Sequence, residues 1–485
     1  MAARSTANVL KMMGKTPSIM KDYLFLFAQE HVEFRVPVSF NELQSLVGIH
    51  GIKMEMIEKH NNTSPFLVVQ LPSEECAVKI MGRCILAKSI IELWARGNSR
   101  QEVYDKLRDF PKERSSFFSG EDQSFCLRVH TFGKTLTGEK KLSIIQDVVK
   151  HLNFKGPVNL TNPDNMFFLY EDYGINPNTA PDEPYSVYFG RWICDGQRKL
   201  ADTYSVKKRH FIGNTSMDAA LSFIMANQAR ITPNSFVFDP FVGTGSLLIS
   251  AAHFGAYVMG ADINYETIHG CGKSSRTNQI YRGKDENIRA NLRQYGLEHS
   301  YIDVLMADFS CNVWREQPMF DAIITDPPYG IRESTRKIGS KKEAKIEEEH
   351  LDGHIPSSRS YSLADIFTDL LNFSARYLRL NGSLVYWLPT HRPEYTDDHI
   401  PRHPCLTLVS NSEQPLSSTI GRRLITMIKT RHAYECEDTA EMREDIYQNH
   451  NGIRSKVFIT TEEKQKRKLE KMENHGKGKS TAHVS

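Results

Sequence analysis

An α/β fold preceded by an α+β module is what the sequence predicts, and three observations predict it. From Tyr23 to about Gly190, β-branched and aromatic runs alternate with helix-like stretches. From about Lys207 onward, short apolar strands are each followed by a helix, the βαβ repetition that builds a parallel sheet. Acids recur at the carboxyl ends of those later strands, where open parallel sheets bind their ligands.

Bulk properties agree with that reading. The chain has 485 residues, whereas a single core rarely grows past roughly 250 to 300, so more than one domain is expected. With 40% hydrophobic and 25% charged residues the composition excludes disordered and fibrous classes. A net charge of +3 leaves any nucleic-acid surface to local basic patches. The eight cysteines hold no C-x-x-C pair, which argues against a zinc site or a disulfide framework and for a reducing compartment; a cytoplasmic location is expected. No apolar run approaches the ~20 residues of a membrane span. The first residues carry Arg4, Lys11, Lys15 and Lys21 without an acid, a composition shared by mitochondrial transit peptides and by plain disordered extensions; residues 1–22 are expected to be an extension.

Taken in order, "YLFLFAQ", "PFLVVQLP", "FCLRVHTF" and "NMFFLYEDYG" read as strands of the first module, with "AVKIMGRCILAKSIIELWARG" and "EKKLSIIQDVVKHL" as its helices. Boundaries are expected near residues 100 and 190, followed by a connector over 191–210. The second domain, 211–432, holds "SFVFDPF", "YVMGADI", "IDVLMADF", "FDAIITDPPYG" and "GSLVYWLP" as strands. Between them "LLISAAHFGA", "NIRANLRQYG" and "ADIFTDLLNFSARYL" read as helices. Residues 331–361 are too polar for core and read as an inserted charged loop, and 433–485 as a variable tail, disordered from about Thr460.

Chemistry concentrates at the strand ends. "SFVFDPFVGTGSLL" sets Asp239 after a strand, then Gly243 and Gly245 in the turn before a helix beginning near Ser246, where glycine lets the backbone approach a ligand and a helix amino terminus favours negative charge. Leu248 stands where G-x-G-x-x-G needs its third glycine, which disfavours a nicotinamide dinucleotide. Asp262 ends the next strand 17 residues past Gly245, a placement suited to ribose hydroxyls, and Asp308 ends a third, where it would accept from an adenine amine. Each acid alone is as readily a helix cap. Three on consecutive strands beside a glycine turn indicate a nucleoside-containing cofactor.

"ITDPPYG" follows the fourth strand. Pro327 and Pro328 fix φ near about −65° and carry no N–H, so their carbonyls and the Asp326 carboxylate are expected to form an acceptor set without competing donors. Such a set suits an exocyclic amine, whose lone pair it draws out of the ring for attack on a methyl group, while Tyr329 stacks on the base. A tight turn would explain the prolines but neither the acid nor the ring. Just beyond, Arg332, Arg336, Lys337, Lys341, Lys342 and Lys345 outnumber Glu333 and Glu343; these cations either meet RNA phosphates near the catalytic turn or form an ordinary solvated loop.

"DPFVGTG" with "DPPYG" resembles the amino-methyltransferases that use S-adenosyl-L-methionine, and "KKRHFIGNTSMDAALSFIMAN" is similar to the segment that precedes their glycine turn. With "YFGRWICDGQRKL", "HFGAYVMGADIN", "DENIRANLRQYG" and "FDAIITDPPYGIRESTR", the chain over about Tyr23 to Lys429 resembles the eukaryotic catalytic subunits of tRNA (guanine(10)-N(2))-methyltransferase. The resemblance implies a doubly wound Rossmann-like methyltransferase sheet preceded by a ferredoxin-like segment (23–100) and a THUMP domain (101–190) that binds the acceptor end of tRNA. It implies catalysis by Asp326, Pro327, Pro328 and Tyr329. It further implies S-adenosyl-L-methionine held by Thr215, Ser216, Asp239, Phe241, Gly243, Gly245, Asp262 and Asp308, and a small zinc-binding activator protein as heterodimer partner; from the loop's position RNA contacts are expected of Arg332, Arg336 and Lys337, and from the cysteine spacing no metal. DPPY alone specifies only an amine or amide acceptor of the methyl group, so a DNA adenine or glutamine methyltransferase, or a protein that merely senses the cofactor, remain alternatives. The separate amino-terminal module favours tRNA over the first, and the intact Asp326 to Tyr329 disfavours the second.

Overall fold

The computed structural model describes residues 20–28, 32–57, 63–152, 154–330, 335–339, 357–435 and 440, with the backbone alone at 32–39. Two compact units divide the chain, Met1–Leu200 and Ala201–Ser485. No helix of the described residues is long and apolar enough to cross a membrane.

In the first unit, β1 (Lys21–Phe27), β2 (Glu55–Met56), β3 (Phe66–Leu71), β4 (Ala87–Gly97), β5 (Phe125–Phe132), β6 (Asn165–Asp172) and β7 (Ser186–Asp195) form one sheet in the order β2-β3-β1-β4-β7-β6-β5. Only β5 and β6 pair in parallel, and the helix Gly138–His151 makes the crossover between them. The greasy run of β1 follows from burial on both faces. Tyr23, Phe25 and Phe27 join Leu43, Ala77 and Ile80 on one side, whereas Leu24 meets Phe66, Val68 and Ile91 on the other. A further core packs Val103, Leu107, Ile144 and Val148 from two helices against Trp94, Phe167 and Phe189. Those helices start where a hydroxyl caps them: Ser99 accepts from the Glu102 N–H and Thr137 from the Lys140 N–H.

Several expectations change here. The first strand starts at Lys21, inside the expected extension. "AVKIMGRCILAKSIIELWARG" is a helix, Glu74–Met81, that ends at Gly82, followed by β4, because pairing to β1 and β7 overrides local helical pattern. That same pairing carries a continuous sheet across the boundary expected near residue 100. The connector expected from 191 begins instead as the end of β7.

The second unit contains β8 (Phe236–Asp239), β9 (Tyr257–Asp262), β10 (Tyr301–Met306), β11 (Phe320–Thr325), the short pair β12 (Arg336–Ile338) and β13 (Ser358–Ser360), β14 (Leu378–His391), β15 (Leu406–Pro415) and β16 (Ile420–Lys429). Its main sheet has the order β10-β9-β8-β11-β14-β16-β15, parallel from β10 to β14, with β16 antiparallel to both neighbours. The helix Leu363–Tyr377 buries Ile366, Phe367, Leu370 and Leu371 in the core with Ile323, Leu384 and Tyr386. From β8 the chain winds outward one way through β9, and from β11 the other way through β14, so a crevice opens at the carboxyl ends of β8 and β11. The inserted loop has a paired base in β12 and β13, with 331–334 and 340–356 outside the described residues. Residues 1–19 and the tail from 441, including the stretch expected to be disordered, also lie outside them.

Candidate active site

Asp239, the last residue of β8, leads into the turn that ends at the helix Ser246–His253. Gly243 and Gly245 have φ of +49° and +76°, left-handed values that glycine adopts at low cost. Gly245 is doubly constrained, since a Cβ there would sit 2.7 Å from Ile288 Cγ2. Three anchors hold the turn. Asp239 Oδ1 accepts from the Phe241 N–H at 3.1 Å and from Thr325 Oγ1 at 2.7 Å. Asp262, ending β9, accepts from the Gly243 N–H and the Asn264 N–H, both at 2.9 Å. Thr244 Oγ1 lies 2.7 Å from Ser216 Oγ, which accepts from the Gly213 N–H at 2.8 Å, so the loop bearing Thr215 and Ser216 is docked on the glycine turn. Phe241 packs edge-on against Phe309 at 4.9 Å.

The sequence thus brought the right strands together, but their carboxylates are more occupied than expected. Asp239 is 2% exposed, and its place is beneath the turn rather than open to a ligand. Burial pushes its pKa up to about 7, with the charges of Asp262 and Asp326 adding to the rise. Asp308, expected to await an adenine amine, accepts from the Ser310 N–H and hydroxyl at 2.8 Å each and from the Ile338 N–H of β12.

Asp326 follows β11 directly, and the acceptor set expected to lack competing donors meets Tyr329 and Arg422 among the described residues. The Tyr329 hydroxyl donates to one carboxylate oxygen, and Arg422 Nη1 donates to the other at 3.3 Å. Burial foremost, and the Asp326 charge next, hold the Tyr329 phenol well above its usual range, so it is a firm donor at neutral pH. Among the loop cations, Lys337 is tied down: Nζ is 3.2 Å from an Asp365 carboxylate and 4.7 Å from the centroid of the Tyr361 ring. Arg336 is exposed, and Arg332 lies outside the described residues. Sequence reasoning missed Thr325, Ser310 and Arg422. A signal for Arg422 existed in "GRRLITMIK", whose alternation marks a strand. Among the described residues, no cluster of three or more His, Cys, Asp or Glu is placed to hold a metal.

Two family models match: the Tmrp11 THUMP N-terminal domain over residues 21–198, and the RMKL-like methyltransferase domain over 207–342. The chain is 54% identical to the tRNA (guanine(10)-N(2))-methyltransferase TRMT11 of Homo sapiens over 443 residues, covering 90% of this chain and 95% of that one. The protein of the same name from Bos taurus is 53% identical over 446 residues, covering 91% and 96%. That from Dictyostelium discoideum is 34% identical over 485 aligned residues, covering 93% and 92%.

The buried acid under the glycine turn has a pH signature. An aspartate whose folded pKa is raised to about 7 favours folding while both states hold the proton, below about pH 4. That contribution falls as pH rises to about 7 and is flat above it. In urea titrations across this window, Asp239→Asn is expected to show a smaller decline in the second unit's midpoint than the wild-type chain; identical profiles would remove Asp239 as the source.

Proposed function

The chain belongs to the family of the tRNA (guanine(10)-N(2))-methyltransferases TRMT11, and from that premise we propose that it transfers a methyl group from S-adenosyl-L-methionine to the exocyclic N(2) amine of guanosine 10 in tRNA. The observation that carries the reading is the placement of Asp326, Pro327, Pro328 and Tyr329 at the mouth of β11, beside the glycine turn that follows β8.

The residues present fit this cofactor. Asp262 and Asp326 both lie near enough to raise the pKa of buried Asp239, so carboxylate charge gathers at this end of the crevice, which a cationic sulfonium would offset. When bound, S-adenosyl-L-methionine supplies an activated methyl group. Gly243 and Gly245 give it backbone access, Thr215 and Ser216 border the same turn, and the Asp262 oxygens retain acceptor capacity for ribose hydroxyls beyond their two backbone bonds. Asp326 and the proline carbonyls accept the two amine hydrogens, which turns the nitrogen lone pair toward the methyl carbon. Transfer of that methyl group would add one bond to nitrogen, so the amine would release one proton to solvent and the cofactor would leave as the neutral thioether. Substrate amine must displace the Tyr329 hydroxyl from Asp326, and that displacement frees the ring to stack on the base.

The first unit offers a docking surface for tRNA. A cavity of about 490 Å³ is bordered by Lys88, Arg128 and Arg198, cations for phosphates, over a floor of the buried rings of Phe66, Phe168 and Tyr170. In this reading a small zinc-binding activator covers the edge strand β10, a choice supported by the exposed Ile302 and Met306. Asp308 lies two residues beyond that strand, so a partner pairing along β10 would also steady the cofactor end of the crevice.

Three outcomes test this reading. Asp326→Ala should bind S-adenosyl-L-methionine normally in calorimetry yet lose methylation of bulk tRNA by ~100-fold or more, a loss typical of a contact made in the transition state; transfer to DNA instead of tRNA by the wild-type chain would sink the substrate assignment. Arg128→Ala should weaken tRNA retention on filters and lower its salt slope by about one unit while sparing cofactor affinity. Ile302→Asp should abolish co-purification of the activator; an unchanged heterodimer would put the partner elsewhere.

A further inference from the structure

We propose that Arg422 is the positioning residue that holds the Asp326 carboxylate in its reactive orientation, an inference that rests on the role given to Asp326 above. Arg422 lies on β16, separated from β11 by β14. Its register partners are Pro389 on β14 and Gln414 on β15, while Leu424, two residues on, stands opposite Trp387. Residues two apart on a strand share a face, so Arg422 lies diagonal to the Trp387 ring. The contacts follow that geometry. The guanidinium carbon sits 4.1 Å from the Trp387 ring centroid, Nε donates to Gln414 Oε1 at 2.7 Å, and Nη1 reaches Asp326 Oδ2 at 3.3 Å.

A long side chain that would otherwise sample many rotamers is thus fixed at its plane and at one edge, and its free end is aimed across a strand at the catalytic turn. The side chains of Arg422 and Asp326 are 15% and 26% exposed, so the pair borders the crevice rather than bulk solvent. Asp326 itself sits on the turn after β11, where the Tyr329 hydroxyl, three residues on, donates to its other oxygen.

The two donors on Asp326 are not equivalent. Tyr329 is a neutral phenol on the same turn, whereas Arg422 is a cation braced by β14 and β15. Both bonds end on an ionised carboxylate, but only the guanidinium brings a full opposite charge, and only it is braced from outside the turn. An arriving amine therefore displaces the phenol on Oδ1 and leaves the guanidinium on Oδ2. Retained there, Arg422 fixes the plane of the carboxylate while the other oxygen receives the amine. In-line attack needs that alignment, and misplacement by about 1 Å can cost ~100-fold in rate.

The test uses the full chain with its activator and compares Arg422→Met, Arg422→Lys and Gln414→Ala, each alone and combined with Asp326→Asn. Arg422→Met should lower kcat ~10- to 100-fold while tRNA KM, S-adenosyl-L-methionine affinity and thermal midpoint stay close to wild type. Arg422→Lys should restore part of the rate, a point charge without the planar fork, and Gln414→Ala should give a smaller fall. In the Asp326→Asn background Arg422→Met should add little, because residues acting as a unit do not multiply their losses. Unchanged kcat, a loss that multiplies fully with Asp326→Asn, or a loss that tracks cofactor affinity or thermal midpoint would overturn the proposal. If Arg422→Met does not fold, Arg422→Lys and Gln414→Ala decide by the same criteria. A wild-type chain that methylates no tRNA would instead overturn the functional reading on which the inference stands.

Discussion

The crevice of the second unit depends on two parallel strand ends held side by side, and one buried hydrogen bond ties them: Thr325 Oγ1 to Asp239 Oδ1, 2.7 Å. Asp239 begins the glycine turn, and Thr325 immediately precedes Asp326. Through that contact the glycine turn after β8 and the Asp326–Tyr329 turn after β11 are set in one register. The bond is strong for the reason its loss would be costly, since neither group can turn to water; an unpaired buried polar group costs about 1–3 kcal/mol. Sheet pairing of Ala322 with Val237 and Ile323 with Phe238 supplies the coarse alignment, and the Asp239–Thr325 contact the fine one.

Much of this was legible in the sequence because the informative residues are local. A strand, an acid and two glycines within one short stretch define a turn before any fold is known, and "DPPY" does the same for β11, three strands later. What the sequence hid was long-range. Arg422 is 96 residues from Asp326, and only the insertion of β14 between β11 and β16 brings them within reach. Asp308 looked available because its partner, the Ile338 N–H, belongs to a loop whose return to the sheet has no local signature. Lys337 looked like a free cation for the same reason, since its partners lie at the far end of the loop, Tyr361, and beyond it, Asp365. In the first unit, alternation located β1, β3, β5 and β6, yet "AKSIIELWARG" read as helix until pairing on both sides made it the fourth strand.

Electrostatics and packing divide the labour in the crevice. Acids gathered at the strand ends make it receptive to a cation, and burial holds one of them, Asp239, near neutrality so that they coexist. Within that acidic setting a single guanidinium, braced on indole and amide, reaches the one carboxylate that must keep its direction.

The short ladder of β12 and β13 leaves a practical opening. Arg336 to Ile338 pair with Ser358 to Ser360, and Ile338 is moored to Asp308, so the chain departs and returns through neighbouring, anchored points. For a segment closed in this way, doubling the length adds only about 0.6 kcal/mol of closure entropy. A reporter or an affinity handle spliced in between Gly339 and Ser357 would therefore enter and leave through points the ladder holds, without pulling on β10 or β11.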